Sequence, residues 1–324
     1  MKGFKAFGKG LVCRGKQYKE NTVFEEKKAV ICTSGMHFCE NPLDVLDYYP
    51  LVDSNGNVVE VAEVEALDEC QTDDNKKYCT KQLKIGFKLS LKELVKAAID
   101  FAYEKNDVEV STGYNAQLAS SGYNAQLASS GDYAKLASSG DGAQLASSGD
   151  YAKLASSGDG AKLASSGDGA QLASSGDYAK LASSGNGAQL ASSGDGAQLA
   201  SSGDYAKLAS SGNGAQLASE GSCAKLASSG YNAQLASSGD YAKLASSGDY
   251  AKLASSGDDA VIAGIGKLNT AKGKKGSWLV LAEWGYNDMG EKYIPVCVKA
   301  AQIDGAVIKE DTFYKLENGE FKEA

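Results

Sequence analysis

The chain of 324 residues has one histidine, His37, three prolines, three methionines and two tryptophans. A single imidazole excludes mechanisms that need two, His-pair zinc hydrolases among them, and leaves Ser-His-Asp chemistry only if His37 is the base. No apolar run approaches the ~20 residues that cross a bilayer. The opening Met1-Lys2-Gly3-Phe4 lacks the basic and apolar regions of a leader. The expectation is a cytoplasmic protein without a membrane partner. Positive charge is also in deficit, with 33 basic against 41 acidic side chains and a net charge of -8. That balance argues against a nucleic-acid partner, whose binding draws on neutralised phosphates. Seven cysteines, at irregular spacing, do not form the pattern of a secreted disulfide framework, so reduced thiols are expected.

Glycine is the abundant residue, and its placement is periodic. It recurs every ninth position from Gly113 to Gly266, with leucine on the same beat from Leu118 to Leu253 and alanine in two further registers. A short strict period means stacked units that bury their apolar faces only against neighbours. In the unit Gly131-Asp132-Tyr133-Ala134-Lys135-Leu136-Ala137-Ser138-Ser139, alternation puts Ala134 and Leu136 on one face of a strand, Tyr133 and Lys135 on the other. Ser-Ser-Gly-Asp supplies the turn, with glycine where a positive φ is wanted.

One unit is too short to close a coil, so two units form the smallest workable one, an 18-residue coil. Ala-Lys-Leu-Ala-Ser resembles the unit of pentapeptide-repeat proteins, whose Ala and Leu point inward. Sixteen leucine-bearing units then make eight coils, a rod of roughly 40 Å at ~4.8 Å per strand. A 27-residue coil competes, because Asp150-Tyr151, Asp177-Tyr178 and Asp204-Tyr205 recur at that spacing. Ala and Leu alone would leave costly voids in so wide a bore.

The outward face has its own rule. All six Asp-Tyr units carry Lys two residues after the tyrosine, the Tyr-Asn units carry Gln, and five of six Asp-Gly or Asn-Gly units carry Gln. Tyr133 with Lys135, Tyr151 with Lys153, Tyr178 with Lys180, and Tyr205 with Lys207 are therefore the candidate binding residues. They form a tyrosine ladder for a protein partner or for self-association, within reach of a cation–π contact. A solvated wall that separates stacked aspartates is the plainer reading. Calcium rolls need paired-glycine loops that most units lack. DNA mimicry needs more than the 10 Asp and 1 Glu set against 8 Lys in residues 113–257.

Residues 1–110 have the composition of an α+β domain. Phe4-Phe7, Ala29-Cys32, Val58-Val61 and Leu83-Phe87 read as strands, and Asn41-Pro42-Leu43-Asp44 starts a helix. The capping box Ser90-Leu91-Lys92-Glu93 opens a second helix, about 90–105, expected to close the end of the first coil. Residues 111–268 are the solenoid and 269–324 a β cap, with Trp278 and Trp284 plugging the core and a hairpin at Glu317-Glu320. The fold expected is mainly β.

Cys13-Arg14-Gly15, the stretch Ser34-Gly35-Met36-His37-Phe38-Cys39-Glu40-Asn41-Pro42-Leu43-Asp44-Val45 with Asp47-Tyr48-Tyr49, the nonapeptide array and the Trp-Leu-Val-Leu-Ala-Glu-Trp ending together resemble a family of uncharacterised proteins of bacteriophages and gut Firmicutes. The resemblance implies a phage or prophage setting. Arg14-Gly15 followed by Gly35-Met36-His37-Phe38 is also similar in order to ADP-ribosyltransferase-like folds, with Glu63-Val64-Glu65 as the acidic element. That likeness implies Arg14, His37, Glu63 and Glu65 as catalytic candidates. A structural Arg14 ion pair and a core His37 are the alternative.

Cys13, Cys32, His37 and Cys39 are zinc candidates by type. Their spacing differs from a C-x₂-C knuckle, and buried thiols explain them as well. No cofactor is expected. The reading is a non-enzymatic solenoid scaffold that binds a host or viral partner. A nucleotide-handling N-terminal enzyme, or sequestration of a host signalling nucleotide, are the alternatives.

Overall fold

The computed structural model describes residues 1–31, 33–104, 109–287, 290 and 292–324. The N-terminal part forms an antiparallel sheet in the order β4-β9-β6-β1-β5-β8-β7. Its strands are β1 (Lys2–Phe7), β4 (Thr22–Glu25), β5 (Met36–Cys39), β6 (Glu60–Ala66), β7 (Gln71–Thr72), β8 (Lys77–Thr80) and β9 (Gln82–Leu89), with β2 (Val12–Cys13) and β3 (Lys16–Gln17) paired apart. One core holds Phe7, Met36, Phe38, Val64, Leu83 and Ile85. A second holds Ala6, Cys39 and Val61 with the residues of two helices.

The stretch Ala29-Ile31 is not a strand. A bridge between Val30 and Ser34 closes a tight turn there, favoured by Ser34 and by Gly35 at φ 90, and Cys32 lies outside the described residues. Asn41 caps a 3-10 turn, Pro42–Asp47, its side chain accepting from the Leu43 N–H.

The repeats form a β-solenoid of about ten turns with 18-residue spacing. Its two walls are parallel ladders in which each strand pairs with the strand two units on, Leu127 beside Leu145 on one wall and Leu136 beside Leu154 on the other. Each strand is four residues, such as Lys135–Ser138. Ala134, Leu136 and Ser138 point inward, while Lys135 and Ala137 point out. Two leucines per coil are buried to 0–2% exposure through most of the stack. Each contributes about 1.5–3 kcal/mol. The slab is thin enough for Ala and Leu to fill, which is why the 18-residue coil prevails over the 27-residue one.

The corners differ from expectation. The recurring glycine of Ser-Ser-Gly does not adopt positive φ. It is required because a Cβ on Gly167 would stand 2.0 Å from the Gly149 carbonyl oxygen of the coil before, and Gly176 meets Gly158 at 2.1 Å. The left-handed residue falls two positions later, from Asn115 to Leu268 at every ninth position, and tyrosine occupies six such corners. Left-handed backbone costs an L-residue about 1–2 kcal/mol. Stacking offsets some of it: Tyr151 lies across the next corner, its ring 2.7 Å from where a Gly169 Cβ would be. Aspartate is explained here too. Asp132 Oδ1 accepts from the Asp150 N–H at 2.9 Å, and the same bond repeats at 18-residue intervals along both edges.

Parallel pairing continues past 268, through Thr270–Lys272 and Trp278–Leu281, before the antiparallel cap begins. Leu279, Leu281, Ile303, Ile308, Tyr314 and Leu316 fill the end of the core. The tryptophans do not: Trp278 is 46% exposed, and Trp284 stacks on Tyr293 and donates to the Ile265 carbonyl. Both stand outside because alternation along Trp278–Tyr286 points Leu279 and Leu281 inward. The hairpin forms at Asn318-Gly319, held by the Glu283 carboxylate, which accepts from both backbone N–H groups.

Helix α1 (Leu91–Glu104) has its capping box, with Glu93 Oε2 accepting from the Ser90 N–H at 2.7 Å. It does not close the end of the rod. Its apolar face, Leu91, Leu94, Val95, Ala98, Ile99 and Ala102, packs on the wall's outer alanines, because a stripe of methyl groups, one from each coil, admits a helix along the rod. Among the described residues no helix is long and apolar enough to cross a membrane.

Candidate functional site

Two places gather the candidate residues: the walls of the solenoid and a cavity in the N-terminal sheet. The walls have the same outward pattern, a Lys or Gln and an Ala in each strand. On the wall that begins with Glu109–Ser111, outer alanines Ala128, Ala146, Ala164, Ala182, Ala200, Ala218 and Ala236 are 0–4% exposed, beneath the N-terminal domain. On the opposite wall the outer alanines from Ala119 to Ala245 are exposed. The first is the covered wall, the second the open one.

The Lys and Gln row of the covered wall reads the domain residue by residue. Asn41 Nδ2 donates to Gln144 Oε1 at 3.0 Å, Lys162 pairs with Asp44, and Lys180 pairs with Asp47. Gln198 donates to the Leu46 carbonyl at 3.1 Å, the Val52 N–H donates to Gln216 Oε1 at 3.0 Å, and Lys252 reaches the Ser54 carbonyl. The 3-10 turn sets this up, since its carboxylates at 44 and 47 advance along the rod as the chain does. Lys180 is 4% exposed, and burial lowers its pKa while Asp47 opposes the shift. Removing either acid would leave a cation out of water, at a cost of about 3–5 kcal/mol.

The sequence-based ladder is thus divided. Lys135, Lys153 and Lys207 stand exposed on the open wall, whereas Lys180, read as an exposed binding residue, is a buried intrachain partner of Asp47. The tyrosines are not on the strand faces. Tyr133, Tyr151 and Tyr205 occupy one edge and Tyr178 the other, all left-handed. Left-handed backbone directs the ring along the edge, so among the described residues no repeat lysine sits over a repeat tyrosine. Tyr114, Tyr133 and Tyr151 do form a row, with centroids 5.4 and 5.1 Å apart. Gly169 and Gly187 then interrupt that edge before Tyr205.

In the N-terminal domain, Arg14 and His37 line one cavity of about 500 Å³, with Cys13, Cys39, Lys5 and Lys16. Arg14 sits at φ 49, just after the short strand β2. Lys5 is 6% exposed, and its Nζ donates to the His37 carbonyl at 2.8 Å. Burial lowers its pKa, the nearby thiols of Cys13 and Cys39 countering in part. Burial also lowers the pKa of His37, with Lys5, Lys77 and Arg14 adding to the effect, so the imidazole is neutral at pH 7. Cys13 Sγ lies 2.8 Å from the Tyr49 hydroxyl.

Glu63 and Glu65 do not join this group. They line a different cavity, of about 720 Å³, with Lys84, Asp100 and Glu104. The acid that does face Arg14's cavity, Glu26, is paired with Lys16 at 2.5 Å. The arginine–glutamate arrangement of a transferase is therefore not assembled. What remains is a basic, aromatic-rimmed cleft suited to an anion.

Three of the four zinc candidates are among the described residues. Cys13, His37 and Cys39 share the cleft, Cys32 lies outside the described residues, and burial, then Asp44, pushes the Cys39 thiol up to about 12. Among the described residues no group of three or more His, Cys, Asp or Glu is placed to hold a metal ion.

The residues that sequence reasoning missed are Asp44, Asp47 and Lys162. One signal was present: Lys162 is the lone lysine among the Asp-Gly and Asn-Gly units, where the rule demands glutamine. Its partner Asp44 supplies the reason for the exception.

Residues 1–97 match the model of a domain of unknown function, DUF7666. No curated protein and no solved structure matches the chain.

Proposed function

We propose that the protein is a non-enzymatic scaffold of phage or prophage origin, acting in the host cytoplasm, whose open wall binds a protein partner. The observation that carries this reading is the covered wall. There the same repeat surface holds a folded domain through an alanine stripe and a Lys/Gln row, and the open wall presents those chemical groups unoccupied. The parallel ladders supply stiffness, since each strand is hydrogen-bonded to two neighbours.

The test is capture from host lysate by the full chain and by Ala173→Arg/Ala191→Arg/Ala209→Arg, three exposed positions. A protein retained by the wild type and released by the triple variant supports the reading. Identical capture by both chains, with unchanged circular dichroism, removes it.

A second reading has its own observation, the convergence of Lys5, Arg14, Lys16 and His37 on one cleft. It is that the N-terminal domain binds a nucleotide or related anion, whether to process it or to sequester a signalling molecule. Thermal shift with NAD and with cyclic nucleotides, against Arg14→Ala, decides it: a shift lost in the variant supports binding, and no shift with any nucleotide discards it.

A further inference from the structure

Along the covered wall, the first five residues that meet the N-terminal domain from Asn41 onward read Gln144, Lys162, Lys180, Gln198, Gln216; a sixth, Gln234, faces the Val52 and Asp53 carbonyls, where the open wall has Lys207 at the matching place. Along the open wall the same series occurs once more, as Gln117, Lys135, Lys153, Gln171, Gln189. The offset is three units, from Gln117 to Gln144 and likewise for each later member. With two units per coil that is one and a half turns, a half-rotation about the rod with a simple advance along it. The two series are therefore related by the symmetry of the solenoid itself, with the same polarity and with six of the seven covered alanines, Ala146 to Ala236, matched by Ala119 to Ala209.

We infer that the open wall carries a second docking site for the N-terminal domain, and that its occupant is the domain of another copy of this chain, exchanged when the covered wall lets it go. The inference rests on the scaffold reading and names its partner. Charge complementarity supports it, since Lys135 and Lys153 take the places of Lys162 and Lys180 opposite Asp44 and Asp47. The tether excludes the chain's own domain. Helix α1 ends at Glu104 and the first covered-wall strand begins at Glu109, five steps of at most about 3.5 Å each. That is too short to pass round two sheets roughly 10 Å apart with side chains on both faces. The 27-residue period, unexplained by coil size, becomes the spacing that preserves this register between walls. Domain exchange of this kind needs no new interface chemistry.

Two full-chain experiments test it. Lys162→Glu/Lys180→Glu opens the covered wall, and sedimentation velocity should then show concentration-dependent assembly, at least about tenfold tighter than for the wild type. Adding Lys135→Glu/Lys153→Glu should abolish it, and adding Asp44→Lys/Asp47→Lys should instead restore the closed monomer. A monomeric Lys162→Glu/Lys180→Glu chain overturns the inference, as does assembly indifferent to Lys135 and Lys153. Neither result touches the lysate test, which scores a different protein.

The second experiment avoids charge reversal. Duplicating residues 113–139, 113–130 or 113–121 ahead of Gly113 inserts three units, two or one. Only the three-unit insertion returns both lysines to Asp44 and Asp47, on the former open wall. Hydrogen exchange of the α1 amides should be as slow as in the wild type for that insertion and faster for the other two. Equal protection in all three would show that the series is not read.

Discussion

The two walls of the solenoid are made of one repeat, yet they differ in almost every property that a side chain can have. An outer alanine on the covered wall, Ala182, is 4% exposed, while its counterpart Ala155 on the open wall faces solvent. Lys180 is buried against Asp47 and has its pKa lowered, whereas Lys153 projects freely. Repeat sequence alone thus sets which atoms point outward, and the neighbour sets what they are worth. One repeat surface is present twice, once covered by the N-terminal domain and once open.

The largest expected effect breaks this comparison at its buried charges. Asp44→Ala removes the partner of Lys162, whose side chain is 10% exposed, and should weaken domain docking by about 3–5 kcal/mol. Hydrogen exchange of α1 reports it directly, because the helix leaves with the domain. Lys135→Ala at the symmetric place on the open wall should change stability by no more than about 0.5 kcal/mol. Comparable losses from both would mean that the walls are not inequivalent after all.

The inward and outward assignments were legible because strand alternation needs no knowledge of the coil. Ala134 and Leu136 point in, the capping box forms, and the hairpin turns at Asn318-Gly319. The corner was not legible. Gly167 answers to the carbonyl of Gly149 one coil earlier, a contact that exists only once two units per turn are in place. Tyrosine at left-handed φ runs against intrinsic preference, and at Tyr133 and Tyr151 the rings stack along the edge. The N-terminal cleft was half legible: Arg14 and His37 converge as their order suggested, but Glu63 and Glu65 on β6 line another cavity. Helix α1 was placed correctly in sequence and wrongly in space. An amphipathic helix of that length can cap an end or lie along a wall, and the deciding residues, Asp44 and Asp47, lie far upstream of its start at Leu91.

Overpacking sharpens the same contrast with smaller numbers. Ala182→Leu adds three carbons where Leu91 and Leu94 already close over the wall, and a cost of about 1–3 kcal/mol is expected. Ala173→Leu adds them to solvent and should leave the melting temperature unchanged. Below that comes a single hydrogen bond. Gln198→Ala removes the donor to the Leu46 carbonyl and should cost about 0.5–1.5 kcal/mol, read as a proportional rise in α1 exchange. Gln171→Ala on the open wall has no such bond to lose.

The smallest effect on stability is the one that separates the walls most cleanly. Lys153 is exposed on a four-residue strand whose backbone bonds do not depend on its side chain. Lys153→Ala should therefore move the unfolding free energy by less than about 0.5 kcal/mol in either direction. Were the open wall only a solvated face, the same substitution would also leave every interaction of the protein intact. If the wall is a recognition surface, the variant melts like the wild type and loses partner capture. A melting loss above about 1 kcal/mol would instead give Lys153 a structural duty like that of Lys180, and occupancy would no longer account for the difference between the walls.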